Sequence, residues 1–124
     1  MAKFLHDDVL DGGPAYLKDN CDKITVCSAQ PTTYTEGNAT YALADVAVDT
    51  TDFTLANGDT SGRKVTVAAQ ATVPIDTSGN ATHVAYLDTS TSKLLGATTC
   101  ATQALTSGGT VTIPAHDLEV SDPS

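Results

Sequence analysis

The chain has 124 residues and a mass of 12.7 kDa, the size of one domain able to remove about two-thirds of its unfolded surface from water. Six basic against fifteen acidic side chains give a net charge of -9 and a pI near 4.3, a field that repels phosphate backbones, with no basic stripe to reverse it; nucleic acid is excluded as a partner. Trp is absent and aromatics make up 5%, so the core has to come from Val, Leu, Ala and Thr, and no run nears the roughly 20 apolar residues of a spanning helix, so no membrane is expected.

Residues 1–20 differ from the rest. Phe4, Leu5, Val9, Leu10, Tyr16 and Leu17 are spaced as a helical stripe, with Asp7 and Asp8 suited to a first turn and Lys18 to a last one. The triplet Gly12-Gly13-Pro14 interrupts it, which predicts a short helix or two turns broken near that point. The start lacks the apolar stretch of a secretion signal, so synthesis and retention in a cytoplasm are expected.

From residue 21 to 124 the pattern is that of a single β domain. Strands are predicted at 23–28, 41–48, 63–69, 71–75, 83–87, 93–98, 110–113 and 117–120, with a break at Pro31 and a turn-rich interval reaching Asp59. Lys64-Val65-Thr66-Val67 and Thr110-Val111-Thr112-Ile113 alternate apolar and polar groups, as a half-buried sheet requires. Asn57-Gly58 suits a turn with positive φ, Ser78-Gly79-Asn80 separates two strands, and Gly108-Gly109 precedes another. Many short strands without a second helical segment predict a mainly β fold, an antiparallel β-sandwich or barrel-like domain with a short N-terminal helical or extended arm.

Candidate chemical groups do not assemble into a motif. In Gly58-Asp59-Thr60-Ser61-Gly62-Arg63, Ser61 separates the Asp-Thr pair from the glycine that an aspartic-protease motif needs, and Gly62 follows the serine too closely for a nucleophile elbow. His6, His83 and His116 stand in no metal-ligand spacing, and Asp45, Asp49 and Asp52 lack the alternating series of a calcium loop. No catalytic residue, cofactor or metal ligand is therefore assigned. Cys21, Cys27 and Cys100 are odd in number and read as reduced thiols, with a Cys27–Cys100 bridge as the minor alternative. Tyr34 and Tyr41 flank a polar loop, a meagre platform for sugar stacking.

The start Met1-Ala2-Lys3-Phe4-Leu5-His6-Asp7-Asp8-Val9-Leu10-Asp11, the central Cys27-Ser28-Ala29-Gln30-Pro31-Thr32-Thr33-Tyr34, the Gly58-Asp59-Thr60-Ser61-Gly62-Arg63-Lys64 loop, Ala81-Thr82-His83-Val84-Ala85, and the ending from Ile113-Pro114-Ala115-His116 through Asp122-Pro123 resemble, end to end, a family of small virion structural proteins of tailed bacteriophages and prophages. The resemblance implies a non-enzymatic, β-rich head decoration or cement protein located in the virion. Its partners would be the major capsid protein or neighbouring virion subunits, with homo-oligomers possible. A tail or head-tail accessory protein is the nearest alternative, and a carbohydrate-binding or adhesion sandwich fits the same outline. Phe4, Leu5, Val9 and Leu10 are the candidate partner-binding residues; the same side chains would equally serve to cap the domain's own core.

Overall fold

A computed structural model describes residues 6–120 of the chain. Two helices, α1 (Asp7–Leu10) and α2 (Gly12–Asn20), precede nine strands: β1 (Lys23–Cys27), β2 (Ala42–Ala47), β3 (Phe53–Asn57), β4 (Arg63–Val67), β5 (Gln70–Pro74), β6 (Gly79–Asp88), β7 (Lys93–Leu105), β8 (Thr110–Ile113) and β9 (His116–Val120). The strands form a four-stranded sheet in the order β2-β1-β6-β7, a three-stranded sheet β3-β4-β9 and a pair β5-β8. All pairings are antiparallel, and a bridge between Ala44 and Ile75 joins the pair to the larger sheet. The protein is mainly β, in a sandwich-like arrangement, as its alternating segments predict.

β4 shows how the alternation works. Val65 and Val67 are fully buried, while Lys64 and Thr66 point the other way and meet β9, where Lys64 Nζ lies 3.2 Å from an Asp117 carboxylate oxygen and the Thr66 hydroxyl donates to Asp117 at 2.7 Å. One core cluster joins α2 to all three sheets through Leu17, Ile24, Val26, Phe53, Val65, Val73, Tyr86 and Val111.

β1 has no exposed face. Ile24 and Val26 enter the common core, and the opposite face, Thr25 and Cys27, is roofed by a π-helical turn at Glu36–Thr40. There the Thr25 hydroxyl donates to the Gly37 carbonyl at 2.8 Å and Lys23 Nζ to Asn38 Oδ1 at 2.9 Å. Gly37 permits the close approach: a Cβ at this position would sit 3.2 Å from Leu87 Cδ2 and 3.4 Å from Leu94 Cδ1.

Several boundaries differ from the sequence expectation, each for a physical reason. The helical break falls at Asp11, and Gly12-Gly13-Pro14 opens α2; Pro14 lies in the first turn, where its missing N–H would have had no helical partner. Phe53–Asn57 is a strand inside the interval expected to be turns, paired residue for residue with β4. Gly79 and Asn80 belong to β6, and β7 runs on to Leu105, because each supplies the other's ladder. The left-handed residue of the β3–β4 hairpin is Gly62 (φ 72°), with no positive φ at Asn57 or Gly58; Gly58 is needed because a Cβ there would lie 2.0 Å from the Ser61 carbonyl oxygen.

Candidate protein-contact surface

The N-terminal helices are tied to the sheets at both ends of α2. Asp11 receives the Arg63 guanidinium at 2.8 Å, anchoring the start of the helix to β4. Lys18 Nζ donates to the carbonyls of Thr50 (2.8 Å) and Phe53 (2.9 Å), so the last-turn cation expected from the sequence is present but serves a neighbouring segment. Between these anchors α2 packs against β3, β4 and β9, with Leu17 buried in the core.

The helix leaves a hollow of about 300 Å³ where the edge strands of two sheets, β7 and β9, come near each other. Tyr16, Leu95, Gly96, Leu118 and Val120 line it, with the Tyr86 side chain at its floor. Tyr86 is wholly buried; its hydroxyl hydrogen-bonds His116 Nε2, while His116 Nδ1 donates to the Pro114 carbonyl at 2.8 Å. That carbonyl can only accept, so Nδ1 carries a proton, and burial pushes the Tyr86 hydroxyl's pKa upward, keeping the phenol protonated.

The large hydrophobic side chains exposed among the described residues are Val9 (61%), Tyr16 (47%) and Val120 (40%). Tyr16 and Val120 line the hollow, whereas Val9 lies on α1, the short helix that precedes α2, and is not part of its wall. Lys93 reaches over from β7, donating to the Tyr16 hydroxyl at 3.2 Å with its ammonium 5.9 Å from the ring centroid. Of the residues proposed to bind a partner, Val9 is thus presented to solvent, Leu10 is buried within its own domain, and Phe4 and Leu5 lie outside the described residues. Tyr16 and Val120 were not picked out in the sequence; Tyr16 sits in an apparent helical stripe, and Val120 in a short strand whose sidedness depends on its register with β4.

The other reactive groups are engaged elsewhere. Asp49 and Asp52 close a reciprocal cap on the 3₁₀ turn Thr50–Asp52, and Asp45 pairs with Lys23 at 3.0 Å, so the three carboxylates weighed for calcium do not converge. Among the described residues no group of three or more metal-ligating side chains assembles. His83 Nδ1 bonds the Thr82 hydroxyl on β6, away from His116 on β9. The three cysteines are free thiols; burial raises Cys21 to about 11 and pushes Cys27 and Cys100 upward, the opposite of the shift that makes a thiolate nucleophile. Asp59 of the hairpin loop receives Lys64 at 2.6 Å. Tyr34 and Tyr41 are both half-buried beside the π-helical turn and form no exposed platform. A second hollow, of about 400 Å³, lies between β7 and β8, walled by Val26, Val84, Cys100, Val111 and Ile113.

No family model, curated protein or solved structure matches the chain.

Proposed function

We propose that this protein is a non-enzymatic structural component of a tailed-bacteriophage particle, a decoration or cement protein that stabilises the head by covering neighbouring subunits. The observation that carries the reading is the corner formed by α2, β7 and β9, where Tyr16 and Val120 stand exposed around an apolar hollow on an otherwise strongly acidic molecule, with Val9 exposed on the preceding α1. Apolar groups gathered beside two open sheet edges are suited to burial against another protein, and binding of that kind draws on contact area and shape instead of bond chemistry. The end-to-end resemblance to phage virion proteins supports the same reading and supplies the partner class, the major capsid protein or adjacent virion subunits.

Antibody raised against the purified chain and applied to phage particles induced from the encoding cells tests the assignment by electron microscopy. Label on the head lattice is the expected result. Label confined to the neck or tail would move the protein to an accessory role, and particles devoid of the polypeptide would overturn the virion assignment. A glycan array probed with the same protein separates it from an adhesion module, which would show saturable sugar binding.

A further inference from the structure

We propose that Asn57 is a spontaneous modification site: in the folded protein its side-chain amide is exchanged for a carboxylate by water, with release of ammonia, and the guanidinium of Arg63 takes up the new charge. The inference goes beyond the contact-making reading above and does not depend on it. Of the four asparagines, Asn20, Asn38, Asn57 and Asn80, Asn57 alone is followed by glycine. An asparagine is labile when the next main-chain nitrogen can reach its side-chain carbonyl carbon, and glycine, having no Cβ, hinders that nitrogen least. The fold holds glycine at this position, because a Cβ on residue 58 would overlap the Ser61 carbonyl oxygen and Glu119 Oε1. The reactive pair is thus built into the β3–β4 hairpin.

The Gly58 nitrogen, giving its proton to solvent, attacks Asn57 Cγ; the Cγ–Nδ2 bond breaks and ammonia leaves, closing a succinimide ring. Water then adds to one of the two ring carbonyls and breaks its bond to nitrogen. The product is aspartate, or isoaspartate where the main chain now runs through the side-chain carbonyl. Amide and water have become acid and ammonia, and no electrons are transferred.

Asn57 is exposed at the end of β3, and its Oδ1 accepts from Arg63 Nη1 at 2.8 Å. That donor draws electron density from Cγ and is in place for the oxyanion formed on attack. Asn38 also has a cation on its Oδ1, Lys23 at 2.9 Å, but Ala39 follows it. Opposing the reaction, the Gly58 N–H donates to the Gly62 carbonyl at 2.9 Å. This bond lies beyond the last pair of the ladder, Asn57 with Arg63, so opening of the hairpin tip frees the nitrogen without unzipping β3 from β4 and sets the rate. The product finds its partner in place: Arg63 Nε already holds Asp11 at 2.8 Å while Nη1 is directed at position 57, so an ionised acceptor replaces a neutral one on the same fork.

Ageing of the intact protein in mildly alkaline buffer, followed by peptide mass mapping, tests the site. The mass gain of an amide-to-acid exchange should appear on the peptide carrying Asn57 before it is detectable at Asn20, Asn38 or Asn80, and should be absent from that peptide in Asn57→Gln, whose longer side chain cyclises far more slowly. Conversion that starts at another asparagine overturns the proposal, as does an Asn57 still intact when the same chain unfolded in urea has converted fully. Capture by Arg63 is read from thermal melts of Asn57→Asp against Asn57→Ala. The Asp variant should melt higher at pH 7 and lose that advantage as pH falls through the carboxylate range, because a carboxylate held by a cation in the fold contributes above its unfolded-state value and not below its folded one. Added salt should narrow the gap. An Asp variant that melts level with or below the Ala variant at pH 7 overturns the capture.

Discussion

Hydrogen bonding and burial fix the behaviour of individual groups. Asp76 sits beside Asp45, and its carboxyl is raised above the ordinary value, chiefly by the hydrogen bond with Asp45 and then by like-charge repulsion, with Lys23 opposing. A raised folded-state value means that protonation favours the fold. The contribution is complete below the unfolded-state value and is lost as pH rises through the folded one. Asp76→Asn should therefore raise the melting temperature at pH 7, and the gain should vanish in thermal melts taken below the carboxylate range. A melting temperature unchanged at pH 7 would mean that the pair is not strained there. Tyr86 makes a different case, being a buried ring held by one polar contact. Tyr86→Phe removes the hydrogen bond with His116 and keeps the ring, so denaturant titration should show a loss of about 1 kcal/mol, the typical net worth of such a bond.

At the scale of elements, α2 is held as part of the core and α1 offers its exposed side. Leu17→Ala removes a side chain shared with Phe53, Val65 and Tyr86 in one cluster and should cost about 2–5 kcal/mol of stability by chemical denaturation. Val9 is 61% exposed, so Val9→Ser should shift stability by no more than about 0.5 kcal/mol while reducing particle binding in a co-sedimentation assay. Equal loss of stability in the two variants would place Val9 inside the domain. Strands were legible where the residues alternate, as in β4 and β8, whose buried valines and isoleucine face the core. β3 was hidden because its five residues follow a Thr- and Asp-rich turn, and only its register with β4 makes it a strand. The ends of β6 and β7 were hidden too, since Gly79-Asn80 and the run Thr99–Ala104 carry no clear periodicity and become extended by pairing with each other.

For the whole molecule, net charge and local pairing act in opposite directions. Asp49, Asp88 and Asp117 are each held below the ordinary carboxylate value, first of all by hydroxyl hydrogen bonds, from Thr51, Ser90 and Thr66 respectively. Their contributions are present above the unfolded-state values and fall away as pH drops through the lowered ones, so unfolding in strong acid is expected even though self-repulsion among carboxylates is relieved there. Near neutral pH the net charge of -9 should make the melting temperature rise as salt is raised from about 10 to 300 mM, because the screening length falls below the span of the domain. A melting temperature that falls over that range would show that specific ion pairs such as Lys64–Asp59 outweigh the mean field.

The amino-acid sequence by itself determined the mainly β class, the net acidic charge and the scarcity of aromatic groups, since each follows from composition or from short-range periodicity, while it left residues 1–20 as a helical or an extended arm. The tetrapeptide Gly-Asn-Ala-Thr marks where that ends: at Gly37–Thr40 it lies in the π-helical turn, and at Gly79–Thr82 it opens β6. Identical local preferences give two backbones because Gly37 is drawn over Thr25, Leu87 and Leu94, whereas Gly79 is paired with Leu105. The tertiary structure alone decided which strands end a sheet and that Tyr16 and Val120 meet at one hollow, because this depends on strand order and on packing between residues distant along the chain.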